Sequence, residues 1–256
     1  MKVLITFALA NEFAPWRKLR FFRNVSLEPW DPTYAARIGN ADVCVVITGA
    51  GRFAAQRSVE KAFEELSAVF DICIAAGLSG ALQPSHRPGQ ILTARSVSDV
   101  QGTKSLCADA ELVSRASTMG AKIVERFLLS DKVVSTADMK RSLSAFGDAV
   151  DMESLHILAM AAQREIRSVA IRAISDGVES DLPLDFDHVF TSRGAVSVSR
   201  VIGQVARRPG RIGRLVRLAH DSRRAATALA TFLDRYIDGL EEGPLTELAK
   251  AEALAI

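Results

Sequence analysis

Short apolar runs alternate along most of this chain with stretches in which apolar positions recur every three or four residues. Val3–Leu9 carries no charge and predicts a first strand. Asp42–Thr48 is β-branched, short and bounded by Gly49, the signature of a buried strand. Asp71–Ala76 repeats that form and ends at Gly77, and Gln90–Val97 follows the Pro88-Gly89 turn. Phe127–Val134 and Ser168–Ser175 complete the set. Among the helical patterns, Ala54–Leu66 gathers Ala55, Val59, Ala62, Phe63 and Leu66 on one face. Leu155–Gln163 is nearly apolar throughout, which predicts a helix enclosed on all sides. Leu218–Leu240 reads as a helix with Ala226, Leu229, Leu233 and Tyr236 turned inward.

Strands alternating with helices predict a mainly parallel sheet with helices on both faces and room for antiparallel hairpins. The expected fold class is therefore a single three-layer α/β/α domain around a mixed, mainly parallel twisted sheet. Residues 1–190 form the expected catalytic core, and residues 191–256 an Arg-rich helical C-terminal extension of the same domain. At 256 residues, 48% of them apolar, the chain can bury such a core.

Charge narrows the partners. A net charge of +2 does not mark a nucleic-acid binder. Cys44, Cys73 and Cys107 are too scattered for a disulfide framework, and the first two sit inside apolar runs, as expected in a reducing compartment. Met1–Phe7 lacks the h-region of a signal peptide, and no apolar run reaches the ~18 residues of a bilayer span. The expected location is the cytoplasm. His86, His156, His188 and His220 show no metal-ligand spacing, and neither a P-loop nor a Ser-His-Asp constellation is present, so no metal is expected.

On open α/β sheets, ligands bind beyond the carboxyl ends of strands. Glu12, Gly49, Gly51, Gly77, Gly80 and Asp176 all fall at such ends. Thr48-Gly49-Ala50-Gly51-Arg52-Phe53-Ala54 leads from strand to helix, where glycines bring amides toward an anion. Read as G-x-G-x-x-A, this turn would hold a dinucleotide, but the acidic residue at suitable spacing, Asp71, precedes its strand and lies at the wrong end of the sheet. Ala76-Gly77-Leu78-Ser79-Gly80 reads as a second small-residue turn.

Two carboxylate motifs stand out. Ala149-Val150-Asp151-Met152-Glu153-Ser154 puts carboxylates at the mouth of a helix, and Ser175-Asp176-Gly177 ends the following strand. Each has a plain explanation alone, as helix-terminus charge or turn signal. Joined by one helix and one strand, they suit N-glycosidic bond cleavage, which needs a proton for the leaving base and tolerance of a cationic sugar. The pair resembles that of the purine nucleoside phosphorylase and methylthioadenosine/S-adenosylhomocysteine nucleosidase superfamily.

That resemblance implies roles. Asp176 would protonate the purine N7, with Ser175 orienting it. Glu153 would hold the ribose hydroxyls and Met152 would pack under the sugar. Glu12 would activate water or hold the sugar. Gly77, Ser79 and Gly80 would line the sugar, and Gly49, Gly51 and Arg52 a phosphate or water site. Ala75 stands where strongly phosphate-binding members carry Arg, and Leu78 where a hydroxyl is usual, so hydrolysis and phosphorolysis both stay open. No cofactor is implied, phosphate as co-substrate aside, and the assembly would be a homo-oligomer. A dinucleotide-dependent oxidoreductase and a non-catalytic nucleoside-binding protein are the competing classes.

Arginines 200, 207, 208, 211, 214, 217, 223 and 224 crowd the C-terminal region. A solvated face is the plain reading; contact with anionic lipid headgroups or a phosphorylated ligand is the other. Arg207-Arg208-Pro209-Gly210 and the Ala/Leu/Arg helix after it resemble the hopanoid-associated phosphorylase subgroup. This implies adenosylhopane as substrate, split into adenine and a ribosylated lipid beside a membrane.

Overall fold

The computed structural model describes residues 1–26, 32–65, 70–189, 191, 194–207 and 209–240. Leu66, Arg208 and residues 241–256 of the expected C-terminal extension lie outside them. In chain order the elements are β1 (Lys2–Phe7), α1 (Ala10–Leu19), β2 (Arg23–Asn24), β3 (Thr33–Ile38), β4 (Ala41–Ile47), α2 (Arg52–Glu65), β5 (Ile72–Ala81), β6 (Ile91–Asp99) and β7 (Ser105–Cys107). Then come α3 (Ala110–Thr118), β8 (Lys122–Leu129), α4 (Ala137–Leu143), β9 (Ala149–Asp151), α5 (Ser154–Ala162), β10 (Arg167–Asp176), α6 (Val198–Arg207) and α7 (Ile212–Gly239).

The ten strands among the described residues join one mixed sheet in which β1 lies between β4 and β5, parallel to both. Beyond β5 the pairings close on themselves: β5 to β10, β10 to β6, β6 to β8, β8 to β9, and β9 back to β5. An open sheet is the simple expectation from alternating strands and helices. The three-residue β9, too short to register as a strand pattern, supplies the closing pair. The hairpin β2–β3 likewise escapes the pattern because every position but Ile38 is exposed or half-buried, and it makes the Gly49 strand the fourth rather than the second.

The layers follow from alternation. On β1, Val3, Ile5 and Phe7 pack with α1, α3 and α7, while Leu4 packs with α2 and α5 on the other face. Helix α7 is split along its length. From Ala225 to Ile237 it buries Leu229, Leu233 and Tyr236 against the sheet, whereas Ile212 and Val216 on its first turns are exposed. Helix α6 buries none of its residues. Only the second part of α7 therefore belongs to the core. No helix among the described residues is long and apolar enough to cross a membrane.

One expected turn is not a turn. Gly77, Ser79 and Gly80 lie inside β5, which continues to Ala81 because β10 pairs along its whole length, with Gly77 opposite Arg172. The glycine serves close approach instead: a Cβ there would collide with the Arg172 guanidinium.

Candidate active site

Glu12 sits in the first turn of α1, just past β1. Its Oε2 accepts from the Leu9 amide at 3.0 Å and its Oε1 from the Leu78 amide at 3.1 Å, so one carboxylate ties the helix start to β5. Burial raises its pKa, while the Leu9 amide and the Arg172 charge oppose that rise.

Arg172 comes from the middle of β10 and is 1% exposed. Its Nε lies 2.8 Å from Asp151 Oδ2 and 3.1 Å from Ser154 Oγ, and Nη2 lies 2.8 Å from the same hydroxyl. Glu153 Oε2 is 3.8 Å from Nη2. Asp151 also caps α5: its Oδ1 accepts from the amides of Glu153 and Ser154, each at 3.0 Å. The plain helix-terminus role thus belongs to Asp151 and leaves Glu153 free of it.

Glu153 instead accepts from the Gly51 amide at 2.8 Å. Burial pushes its carboxyl up to about 7, against the pull of Arg172 and with help from neighbouring Asp151. Three buried carboxylates thus surround one guanidinium, and this end of the site carries an excess of negative charge.

The other end is built on the last residues of β10. Its register against β5 shifts between Ile174 and Asp176, and the bulge re-aims Ser175 and Asp176. Ser175 Oγ lies 2.5 Å from Asp176 Oδ1 and 3.1 Å from the Ser79 carbonyl. Asp176 Oδ2 accepts from Lys140 of α4, whose Nζ also donates to the carbonyls of Gly177 at 2.9 Å and Ser180 at 2.8 Å. Ser79 Oγ is buried without a hydrogen-bond partner.

Both ends face one cavity of about 200 Å³. Asp176, Glu12, Glu153, Met152, Ser175, Ser79 and Gly80 line it together, as do Leu78 and Val150. Gly77 lies behind it, under Arg172. Of the first glycine turn only Ala50 lines the cavity. The amide of Ala50 donates to the Gly194 carbonyl at 3.0 Å and that of Gly51 to Glu153, so these two amides are already engaged. Gly194 can approach the turn so closely because it has no Cβ, and its φ of +72° suits glycine. Arg52 is exposed, its guanidinium 5.8 Å from the Phe53 ring centroid. Asp71 accepts from the Lys2 amide at 2.7 Å, at the opposite end of β1 and β5.

A second, larger chamber of about 610 Å³ adjoins the first and shares Leu9, Glu12, Leu78, Phe186, Leu218 and Ser222 with it. Its remaining lining is mostly apolar and includes Leu184, Val189, Val196, Val201 and Leu215. Among the described residues no group of His, Cys, Asp and Glu side chains stands together as a metal site.

Arg172, Ser154 and Lys140 escaped the sequence reading, which gave Asp151 only the helix-terminus role that it does fill. A charge inside the apolar run Ser168–Ser175 was a usable signal for Arg172. Lys140 gave none, since its neighbours Met139 and Arg141 are exposed and the helix reads as a surface one.

The fold has solved counterparts. A Helicobacter pylori 5′-methylthioadenosine nucleosidase with 5′-methylthioadenosine in its active site matches at 15% identity and a TM-score of 0.72, over 93% of this chain and 99% of that one. Futalosine hydrolase of Helicobacter pylori matches at 15% identity and 0.72, over 94% and 98%. S-adenosylhomocysteine nucleosidase of Streptococcus pyogenes, in complex with 5-methylthiotubericidin, matches at 16% and 0.71, over 94% and 97%. No curated protein matches the sequence. The phosphorylase superfamily model matches residues 2–207, nearly all of the strands, helices and cavity just described, and the chain belongs to that superfamily as an enzyme of the nucleoside phosphorylase and nucleosidase kind.

Proposed function

We propose that the protein cleaves the N-glycosidic bond of an adenine nucleoside whose 5′ position carries a large apolar group. One observation carries this reading: a cavity lined by Glu12 and Glu153 at one end, with Arg172 buried behind them, and by Asp176 at the other opens beside an apolar chamber of about 610 Å³. Glu153 accepts hydrogen bonds from the ribose hydroxyls, and Met152 packs under the sugar. Asp176 protonates the purine N7, and the negative sugar end favours the oxocarbenium-like transition state. The 5′ substituent extends from the sugar into the chamber.

Hydrolysis is the reaction we favour. Arg172 is already engaged by Asp151 and Ser154, the Ala50 and Gly51 amides are used within the protein, and three carboxylates repel a phosphate. Glu12, whose pKa burial raises, is then the base that takes a proton from the attacking water.

The chamber is lined in part by Val196, Val201, Leu215 and Leu218, from α6, α7 and the segment leading into α6. On the outside of the same helices, Val198, Ile202, Ile212 and Val216 are exposed. The sequence has no carboxylate between Asp187 and Asp221 but arginines at 193, 200, 207, 208, 211, 214 and 217. An apolar strip bordered by cations fits an anionic bilayer surface, so a membrane-held adenosyl lipid such as adenosylhopane is the substrate this favours.

Adenine release from methylthioadenosine, adenosine and an adenosyl lipid in anionic vesicles, with and without phosphate, tests the reading. Free sugar formed without phosphate, fastest from the lipid, is the expected result. Strict phosphate dependence would overturn hydrolysis, and no adenine from any substrate would overturn the enzymatic reading. Asp176→Asn is expected to lower turnover by ~10²-fold or more while binding persists.

A further inference from the structure

Lys140 is completely buried, although Asp138, Met139, Arg141 and Ser142 around it on α4 are exposed. An enclosed ammonium is costly unless each of its N–H groups meets an acceptor. Here all three do: Asp176 Oδ2, the Gly177 carbonyl at 2.9 Å and the Ser180 carbonyl at 2.8 Å. Just before Lys140 and just after Ser180 the two stretches of chain are also pinned together, by the Ala137 amide on Asp181 Oδ1 at 2.9 Å and the Leu182 amide on the Ser135 carbonyl at 2.7 Å. Lys140 has no proton left for a ligand and does not line the cavity. Whatever it does for the reaction passes through Asp176.

The two oxygens of Asp176 are held differently. Oδ2 faces a fixed cation. Oδ1 faces Ser175 Oγ, which also lies 3.1 Å from the Ser79 carbonyl. One hydroxyl proton serves one acceptor at a time. Ser175 either donates to an Asp176 carboxylate or turns to Ser79 and accepts from a carboxylic acid. Oδ1 is therefore suited to both protonation states, and Oδ2 to the anion.

Building on the N-glycosidic reading above, we propose that Lys140 is a positioning residue that stabilises the Asp176 carboxylate formed when the proton passes to the leaving purine. As the N-glycosidic bond breaks, its electron pair moves onto the purine, and the proton on Asp176 Oδ1 moves to N7. The negative charge left on Asp176 lies against the Lys140 ammonium, and the Ser175 hydroxyl swings from Ser79 to Oδ1. Lys140 keeps its proton throughout, and Asp176 regains one from solvent after the base departs. In an enclosed site of low dielectric, that charge would otherwise form without a partner.

Leaving-group chemistry separates this role from a purely structural one. Methylthioadenosine needs a proton on its departing base, whereas a p-nitrophenyl riboside releases nitrophenolate without one. Lys140→Met is expected to cut kcat for adenine release by ~10²-fold, with KM little changed, and nitrophenolate release by only about threefold. Lys140→Gln guards against a folding failure: its amide offers two N–H groups to the Gly177 and Ser180 carbonyls while removing the charge beside Asp176. Lys140→Arg, which keeps the charge, is expected to recover part of the lost preference for adenine. In an Asp176→Asn background, Lys140→Gln is expected to change the adenine-to-nitrophenolate ratio no further. Equal losses on both substrates, no loss on either, or a further change of the ratio in the Asn background would each overturn the proposal. Failure of the N-glycosidic reading shows separately, as wild-type protein that releases neither product.

Discussion

The two ends of the cavity manage buried charge in opposite ways. At the end proposed to hold the sugar, Glu12, Asp151 and Glu153 share one guanidinium, and the surplus is negative. At the end proposed to hold the base, Asp176 has an ammonium to itself and a hydroxyl that can turn. A surplus of carboxylate suits a group that becomes positive during bond cleavage, the sugar. A one-to-one pair suits a group that hands over a proton and is left negative. On the proposed reading, counting carboxylates is not enough: the sign and number of their partners assign their tasks.

Removing the shared cation tests the contrast most severely. Arg172→Met leaves three carboxylates facing one another with no counter-charge, and a loss of about 3–5 kcal/mol of stability is expected in urea melts. Arg172→Lys is expected to recover only part of it, since one ammonium cannot reproduce the forked contacts to Asp151 and Ser154. A variant as stable as the wild type would show that these carboxylates do not depend on Arg172.

A subtler break is Glu153→Gln. The Glu153 pKa is raised in the folded protein, from about 4.5 to about 7. A carboxyl with a raised folded-state pKa binds its proton more tightly folded than unfolded. Its contribution to stability is therefore complete below about 4.5 and lost as pH rises through about 7. Denaturation midpoints measured across that window should fall with pH in the wild type and fall less in Glu153→Gln. Sugar binding should also weaken in the variant, because the amide accepts from ribose hydroxyls less strongly than a carboxylate.

The smallest expected effect lies at the base end. Ser175→Ala removes the turning hydroxyl but leaves Lys140 on Asp176, so a loss of about fivefold in kcat, roughly one hydrogen bond, is expected. A loss as large as that of Asp176→Asn would mean that Ser175, rather than Lys140, carries the stabilisation of the carboxylate.

Five of the six strands and all three helices expected from periodicity stand close to where it puts them, because each is encoded by its own run of side chains; the strand expected over Phe127–Val134 instead runs over Lys122–Leu129 and shares only Phe127–Leu129 with it. Elements that lack such a run were missed. β9 is three residues long, and β2 and β3 form an edge hairpin with little burial. The C-terminal extension was legible as a helix with Leu229, Leu233 and Tyr236 inward. What burial adds is the split of α7 into an exposed, Arg-bearing start and a core-forming second part. The small residues Gly77 to Gly80 looked like a turn because glycine marks turns and close approach alike, and only the pairing with β10 separates the two.

By itself, then, the sequence determined the alternation of elements and the candidate carboxylates Glu12, Glu153 and Asp176, since strand ends and helix starts are local features. Tertiary structure alone decided their counter-charges. Arg172 reaches the sugar end because β10 pairs with β5 in the register that sets it over Gly77. Lys140 meets Asp176 across 36 positions of chain because α4 packs on the segment after β10. Neutralising a buried charge is a matter of distance in space, and no spacing along the chain records it.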